Sequence, residues 1–195
     1  MGIDRQTDSM DIAELKAELE TLHTASFGWA LHCCRRDRGE AEEVLQTVYL
    51  KILEGKACFR GDASLKTWLF AVIRKTAIGE HRRNLLRKLR WSDGAEQTAT
   101  TVSTLEQPGV AFEKSEAQAV FQNALKSLPR RQREALHLVF YQDLSLSEAA
   151  EVMGISIGSV RQHYDRGKTR LRECLGQTES IYGIDWRRKE NPGAV

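Results

Sequence analysis

Two constellations have residue types suited to holding nucleic acid. The first lies at 64–90, where Trp68 and Phe70 are interleaved with cations. Within it, Arg74, Lys75, Arg82, Arg83, Arg87, Lys88 and Arg90 face a single acid, Glu80. Rings stack on unpaired bases while cations track phosphates, so this mixture suits an opened strand. The charge alone suits several phosphates or an acidic protein equally well. At helical spacing, Phe70 falls on the polar side with Thr67, Arg74, Ile78, His81 and Arg82. The core side has Leu65, Trp68, Leu69, Val72, Ile73 and Thr76, and Trp68 reads as core rather than as a stacking platform.

The second constellation is 146–175. Ala150 is small where two helices would cross, Gly154 suits the positive φ of a turn, Ile155 and Val160 can plug the space between helices, and Ser156 is placed to cap the next one. In the helix that follows, Ile157, Val160, Tyr164, Gly167, Leu171 and Leu175 share one face. Ser159, Gln162, Asp165, Arg166 and Thr169 take the other, with groups able to meet base edges in a major groove. This is a helix-turn-helix pattern.

Catalytic chemistry has no comparable pattern. The five histidines, at 23, 32, 81, 137 and 163, make no nucleophile or metal spacing, and no Gly-rich phosphate loop occurs. Cys33, Cys34, Cys58 and Cys174 form no Cys-x-x-Cys pair. His32-Cys33-Cys34 sits in an apolar helical stretch, where cysteine acts as a small core hydrophobe. The chain is expected to be no enzyme and to hold no metal or cofactor.

The elements that position these residues are helices. Ala41, Val44, Leu45, Val48, Tyr49, Ile52 and Leu53 recur at three and four, predicting a helix over 40–54. Others are predicted at 11–35, 64–84, 113–127, 130–142 (started by Pro129), 146–153 and 157–175. No segment alternates as a strand would. Ser92-Asp93-Gly94 opens a Thr-, Ser-, Gln- and Glu-rich stretch running through Gln107-Pro108-Gly109. The fold expected is all-α: two small helical domains, 10–91 and 113–175, joined by a flexible linker over 92–112, with a tail at 176–195.

The 195 residues carry 29 Lys plus Arg against 27 Asp plus Glu, for a net charge of +2. That sum hides a strong division. Residues 1–26 net −4, 27–91 net +7, 92–128 net −3, 129–175 net +2 and 176–195 zero. Apolar runs fall short of a bilayer span, and the N-terminus lacks a basic, apolar leader, so the expected compartment is the cytoplasm.

Over about 20–175 the sequence resembles the extracytoplasmic-function (ECF) group of bacterial RNA polymerase sigma factors. Glu40-Ala41-Glu42-Glu43-Val44-Leu45-Gln46-Thr47-Val48-Tyr49-Leu50-Lys51 resembles the helix that docks on the polymerase clamp. Phe59-Arg60-Gly61-Asp62-Ala63-Ser64-Leu65-Lys66-Thr67-Trp68-Leu69, closed by Arg82-Arg83, resembles the promoter-melting segment. Leu128-Pro129-Arg130-Arg131-Gln132-Arg133-Glu134-Ala135-Leu136, the helix-turn-helix and Arg166-Gly167-Lys168-Thr169-Arg170-Leu171-Arg172 resemble the domain that binds the −35 element. The family commonly has Asn at Lys75, Asp at Gly79 and an acid at Thr47.

The resemblance implies a promoter-specificity subunit whose partners are core RNA polymerase, promoter DNA and an anti-sigma factor. It implies polymerase contacts by Glu42, Glu43, Gln46, Thr47, Leu50 and Lys51. It implies −10 contacts by Arg60, Lys66, Phe70, Arg74, Lys75, Arg82 and Arg83, and −35 contacts by Ser156, Ser159, Arg161, Gln162, Asp165 and Arg166. A stand-alone helix-turn-helix regulator is the alternative, but it leaves the basic, aromatic block and the docking pattern without a role.

Overall fold

The computed structural model describes residues 12–91 and 116–182. The expected linker, 92–112, and most of the tail lie outside the described residues. Among those residues there are eight α-helices, one π-helical turn and no strand.

Four helices build the first domain: α1 (Ile12–Thr21), α2 (His23–Cys33), α3 (Arg38–Leu53) and α4 (Leu65–Trp91). The helix predicted over 11–35 is interrupted at Leu22, and α4 continues beyond the predicted end at 84. In α3 the spacing of three and four becomes a buried face of Ala41, Val44, Leu45, Val48 and Ile52. Asp37 caps its start, accepting from the Glu40 N–H at 2.9 Å. Leu53, predicted on that apolar face, is 57% exposed: with half-buried Tyr49 it lies at the edge of the buried stripe, while Ile52 in the same turn is buried.

The α2-to-α3 turn requires unusual backbone. Arg35 and Arg36 have φ of 55° and 69°. The Arg36 N–H reaches back to the Leu31 carbonyl at 2.7 Å, satisfying one of the acceptors left at a helix end. Trp29 is fully buried at the domain centre, with its ring stacked on Phe70 and its Nε1–H donating to the Phe70 carbonyl at 3.0 Å. That bond satisfies the indole, which would otherwise be costly to bury.

The second domain comprises α5 (Glu116–Ser127), α6 (Arg130–Leu136), the π-turn His137–Tyr141, α7 (Leu146–Met153) and α8 (Ile157–Tyr182). Pro129 precedes α6, and its carbonyl accepts from Gln132 and Arg133. α7 opens with a complete capping box: Ser145 Oγ accepts from the Glu148 N–H, and the Glu148 carboxylate accepts from the Ser145 N–H at 2.9 Å. Gly154 ends α7 at φ 63°, the left-handed turn that its position predicted. Gly167 lets α8 press on α6, since a Cβ there would meet Leu136 Cδ1 at 3.1 Å and the Gln132 carbonyl at 3.3 Å.

The two domains are not held apart. α7 packs along α4, and one buried cluster runs from Trp29, Phe70 and Ile73 to Leu138, Ala149, Met153 and Val160.

Candidate nucleic-acid interface

α8 is the second helix of the helix-turn-helix. Val160 is buried against α7, and Ser156 caps the first turn, accepting from the Ser159 N–H at 3.2 Å. Ser159 also meets Ser156 through its hydroxyl, at 2.9 Å, and is half-buried. Arg161, Gln162, Asp165 and Arg166 form an exposed outer row. Ile157, expected on the core face, is instead 46% exposed, while Val160 three residues on is buried. The arrangement can present two cations, an amide and a carboxylate to a groove.

α4 presents a different picture. Phe70, expected on an exposed polar side, is fully buried because α2 covers that side and stacks Trp29 on its ring. Thr67 and Arg74, from the same predicted side, are also buried, here by the second domain. Arg74 pairs with Glu134 of α6 at 3.3 Å, and Glu134 collects Arg130 at 2.9 Å and Arg131 at 3.4 Å as well. Lys66 Nζ donates to the Gln142 carbonyl at 2.6 Å and lies 5.7 Å from the centre of the Phe70 ring. Ser64 and Thr67 hydroxyls donate to one Glu148 oxygen at 3.4 and 3.2 Å. By contrast Arg60, Lys75, Arg82 and Arg83 are exposed, Arg83 forming an ion pair with Glu80 one turn earlier.

Beside this seam, Trp68, read from its spacing as core, is only half-buried and meets Phe59 at 5.5 Å in a tilted pair. They line a cleft of about 370 Å³ with Arg60 and Thr67, and Glu151 of α7 closes one wall.

On the opposite side of the first domain, Glu42, Glu43, Gln46 and Leu50 of α3 are exposed and Thr47 is half-buried. Leu50 is 57% exposed. Lys51 turns inward, donating to Thr76 of α4 at 3.2 Å, and Arg38 holds Glu42 at 2.9 Å. A groove of about 280 Å³ runs between α3 and α4 past Glu43, Gln46, Leu50, His81, Arg83 and Asn84. His81, read from the sequence on the polar side of α4, and Asn84, which follows it after three residues, line this groove beside the α3 residues.

The residues sequence reading missed on the seam are Ser64, Thr67, Glu134, Gln142, Glu148 and Glu151. The cross-seam partners of the first five lie tens of residues away in the chain, and Glu151 lines a cleft built mostly from the first domain, so local periodicity gave no sign of them.

Histidines mark the other end of the seam. His32 of α2 and His137 of the π-turn have ring centroids 4.5 Å apart, and both stack on Trp29. Burial, joined by His137, Arg133 and Arg36, pushes His32 down to about 3; burial, joined by Arg36, pushes His137 down to about 4. Both rings are therefore neutral near pH 7. Burial also raises the Cys33 thiol, and raises Cys34 to about 11, which leaves both as un-ionised packing groups. Among the described residues, no cluster of His, Cys, Asp and Glu could hold a metal ion, and no helix is long and apolar enough to cross a membrane.

Comparison with known proteins matches both units. The model for sigma-70 region 2 matches residues 20–87, and that for sigma-70 region 4 matches 124–173. The ECF RNA polymerase sigma factor EcfG of Rhodopseudomonas palustris is 30% identical over 139 residues, covering 69% of this chain and 71% of that protein. RNA polymerase sigma factor YlaC of Bacillus subtilis is 28% identical over 69% of this chain and 77% of its own length. Among solved structures, the sigma factor RpoE of Bartonella quintana, in complex with the anti-sigma factor NepR, superposes with a TM-score of 0.62. It is 25% identical, over 85% of this chain and 98% of that one. With both regions present in the same order and the helix-turn-helix formed, the chain belongs to the ECF group of the sigma-70 family of RNA polymerase sigma factors.

Proposed function

We propose that the chain is a non-catalytic promoter-specificity subunit, acting in the cytoplasm, that takes core RNA polymerase to promoters and helps to open them. The observation that carries this reading is the joint presence of a helix-turn-helix with an exposed polar outer row and a first domain combining a cationic α4 with the Phe59–Trp68 cleft. A duplex reader alone has no use for the second feature. An aromatic cleft beside cations suits an unstacked base, and each such base offsets part of the cost of opening the duplex.

The roles divide by surface. Residues 10–91 hold polymerase and the −10 element, 92–112 connect the halves, and 113–175 read the −35 element. Glu42, Glu43, Gln46, Thr47 and Leu50 meet polymerase, supported by the exposure of Leu50, an apolar group suited to cover by a partner. Lys51 supports that surface from behind through its bond to Thr76. Arg60, Lys66, Arg74, Lys75, Arg82 and Arg83 hold the opened strand, with Phe70 fixing α4 from beneath. Arg161, Gln162, Asp165 and Arg166 read the −35 bases, while Ser156 and Ser159 set the helix start. An anti-sigma factor holds the chain inactive. Support comes from the two-domain likeness to RpoE, a sigma factor solved with its anti-sigma factor.

Run-off transcription with purified core polymerase on a genomic promoter library tests the reading. Promoter-dependent initiation is expected. Tight duplex binding by the chain alone with no initiation rejects it.

A further inference from the structure

We propose that the pocket at the histidine end of the seam binds a small polyanion that carries a flat ring, of the nucleoside di- or triphosphate class. None of the residues assigned above to polymerase or DNA lines this pocket.

The pocket has a volume of about 630 Å³ and is walled by α2 and the turn after it, α5, α6 and the π-turn. That size suits a small-molecule site. Its charge is of one sign. Arg35 and Arg36 come from the turn, Lys126 from α5 and Arg133 from α6, and among the described residues no Asp or Glu lines it. None of these four cations is ion-paired with a described carboxylate, and Glu134, the acid of α6, is already held by Arg74, Arg130 and Arg131. A cleft lined by cations concentrates anions, and guanidinium groups match phosphate oxygens in shape as well as charge.

The cations are held in place. Arg35 and Arg36 stand at φ 55° and 69°, where a side chain other than that of Asn, Asp or His is uncommon. Backbone of this kind persists only where its surroundings fix it, and it gathers at ligand clamps. Here the Leu31 carbonyl accepts from the Arg36 N–H at 2.7 Å, and Gln122 Oε1 accepts from Arg36 Nη1 at 3.2 Å. Arg133 Nη1 donates to the Lys126 carbonyl at 3.2 Å. Each guanidinium is thus anchored through one nitrogen and keeps further N–H groups for a ligand.

The π-turn supplies the ring side. Tyr141 is 49% exposed and stacks on His137 with centroids 5.6 Å apart, and Phe121 of α5 joins the same lining. A purine laid against Tyr141 would extend a stack that runs through His137 to Trp29. His32 and His137, neutral near pH 7, add faces rather than charge. A nucleic-acid strand fits less well, because a strand needs cations spaced along a groove over several nucleotides, and these converge on one pocket. An acidic peptide would leave Tyr141 and Phe121 without a partner.

Isothermal titration calorimetry of the full chain with ATP and GTP tests the site, with tripolyphosphate and hexaglutamate titrated in parallel. Arg36→Gly removes a guanidinium and suits the turn, since Gly accepts a φ of 69°, and it is combined with Arg133→Gln. Lys126→Gln, at an exposed position of α5, replaces that pair should it fail to fold by circular dichroism. Tyr141→Leu removes the ring. The control, Lys16→Gln/Lys56→Gln, takes exposed cations from outside the pocket.

Saturable one-to-one binding of nucleotide is expected. Loss of Arg36 and Arg133 should weaken it by about tenfold or more, and Lys126→Gln by less. Tyr141→Leu should weaken it by about fivefold or more while leaving tripolyphosphate binding in place. The control should change nothing, and tripolyphosphate and hexaglutamate should bind more weakly than ATP. No saturable nucleotide binding to the unaltered chain, equal weakening by the control, or tripolyphosphate or hexaglutamate binding as tightly as ATP overturns the proposal. Photolabelling with 8-azido-ATP should mark 121–141. A label confined to α4 or α8 also overturns the proposal, since the nucleotide would then be imitating promoter DNA.

Discussion

α4 and α8 are the two long helices that carry the candidate DNA contacts, and they are built on opposite plans. α8 rests one face on α6 and α7 and leaves its outer row in solvent. α4 is enclosed: α2 and α3 take one part of its circumference and α7 another. A helix with one free face can specialise that face for base reading. A helix enclosed on several sides must give the same residues to packing, to the neighbouring domain and to DNA.

Substitutions separate the two plans. The largest effect is expected from Phe70→Ala, which removes a fully buried ring stacked on Trp29 and should destabilise the fold by about 3–5 kcal/mol in chemical denaturation. A stable Phe70→Ala protein with only weakened strand binding would return Phe70 to the DNA surface. Arg166→Ala or Gln162→Ala, in the exposed row, should leave the unfolding midpoint in place. Each should weaken −35 discrimination by about 1–3 kcal/mol per lost base contact, measured by competition between matched and mismatched duplexes. Unchanged discrimination in both would move the reading surface off α8.

Acid should act on the seam and spare α8. His32 and His137 titrate near 6.5 when free but at about 3 and about 4 in the fold. Between about 4 and 6.5 the unfolded or opened chain binds more protons, so stability rises with pH over that window and falls on acidification. A proton on either ring would meet Arg36, with Arg130 and Arg133 close to His32. Scattering between pH 7 and 5 should show the radius increasing. A flat profile, or one unchanged by His137→Phe, would relieve these rings of any part in holding the halves together. The smallest effect is expected from Ser145→Ala at the start of α7, about 1 kcal/mol by thermal unfolding, since it removes one side of a capping box.

The legible parts of the molecule are those governed by short-range rules. The buried face of α3, the Gly154 turn and the Ser156 cap each depend on residues within one or two helical turns. So did the exposed row of α8. Phe70 was misplaced because a single helical period assigns one core face, whereas α4 has several neighbours. Glu134 was hidden for another reason. In the sequence it is one acid beside the arginines of 130–133; only the fold reveals that it is buried and takes, besides Arg130 and Arg131, a third arginine, Arg74, from across the molecule.

That carboxylate limits how such a protein can be recombined. Exchanging the second domain between relatives looks simple on a modular view, since the join would fall in the connecting segment. Yet a donor domain bringing an apolar residue at position 134 would strand the buried Arg74, and a buried charge left without its partner is expensive; a recipient lacking Arg74 costs less, because Glu134 keeps Arg130 and Arg131. Chimeras that keep positions 74 and 134 as a matched pair should fold more often than those that split them, so the two halves are inherited less independently than their separate folds suggest.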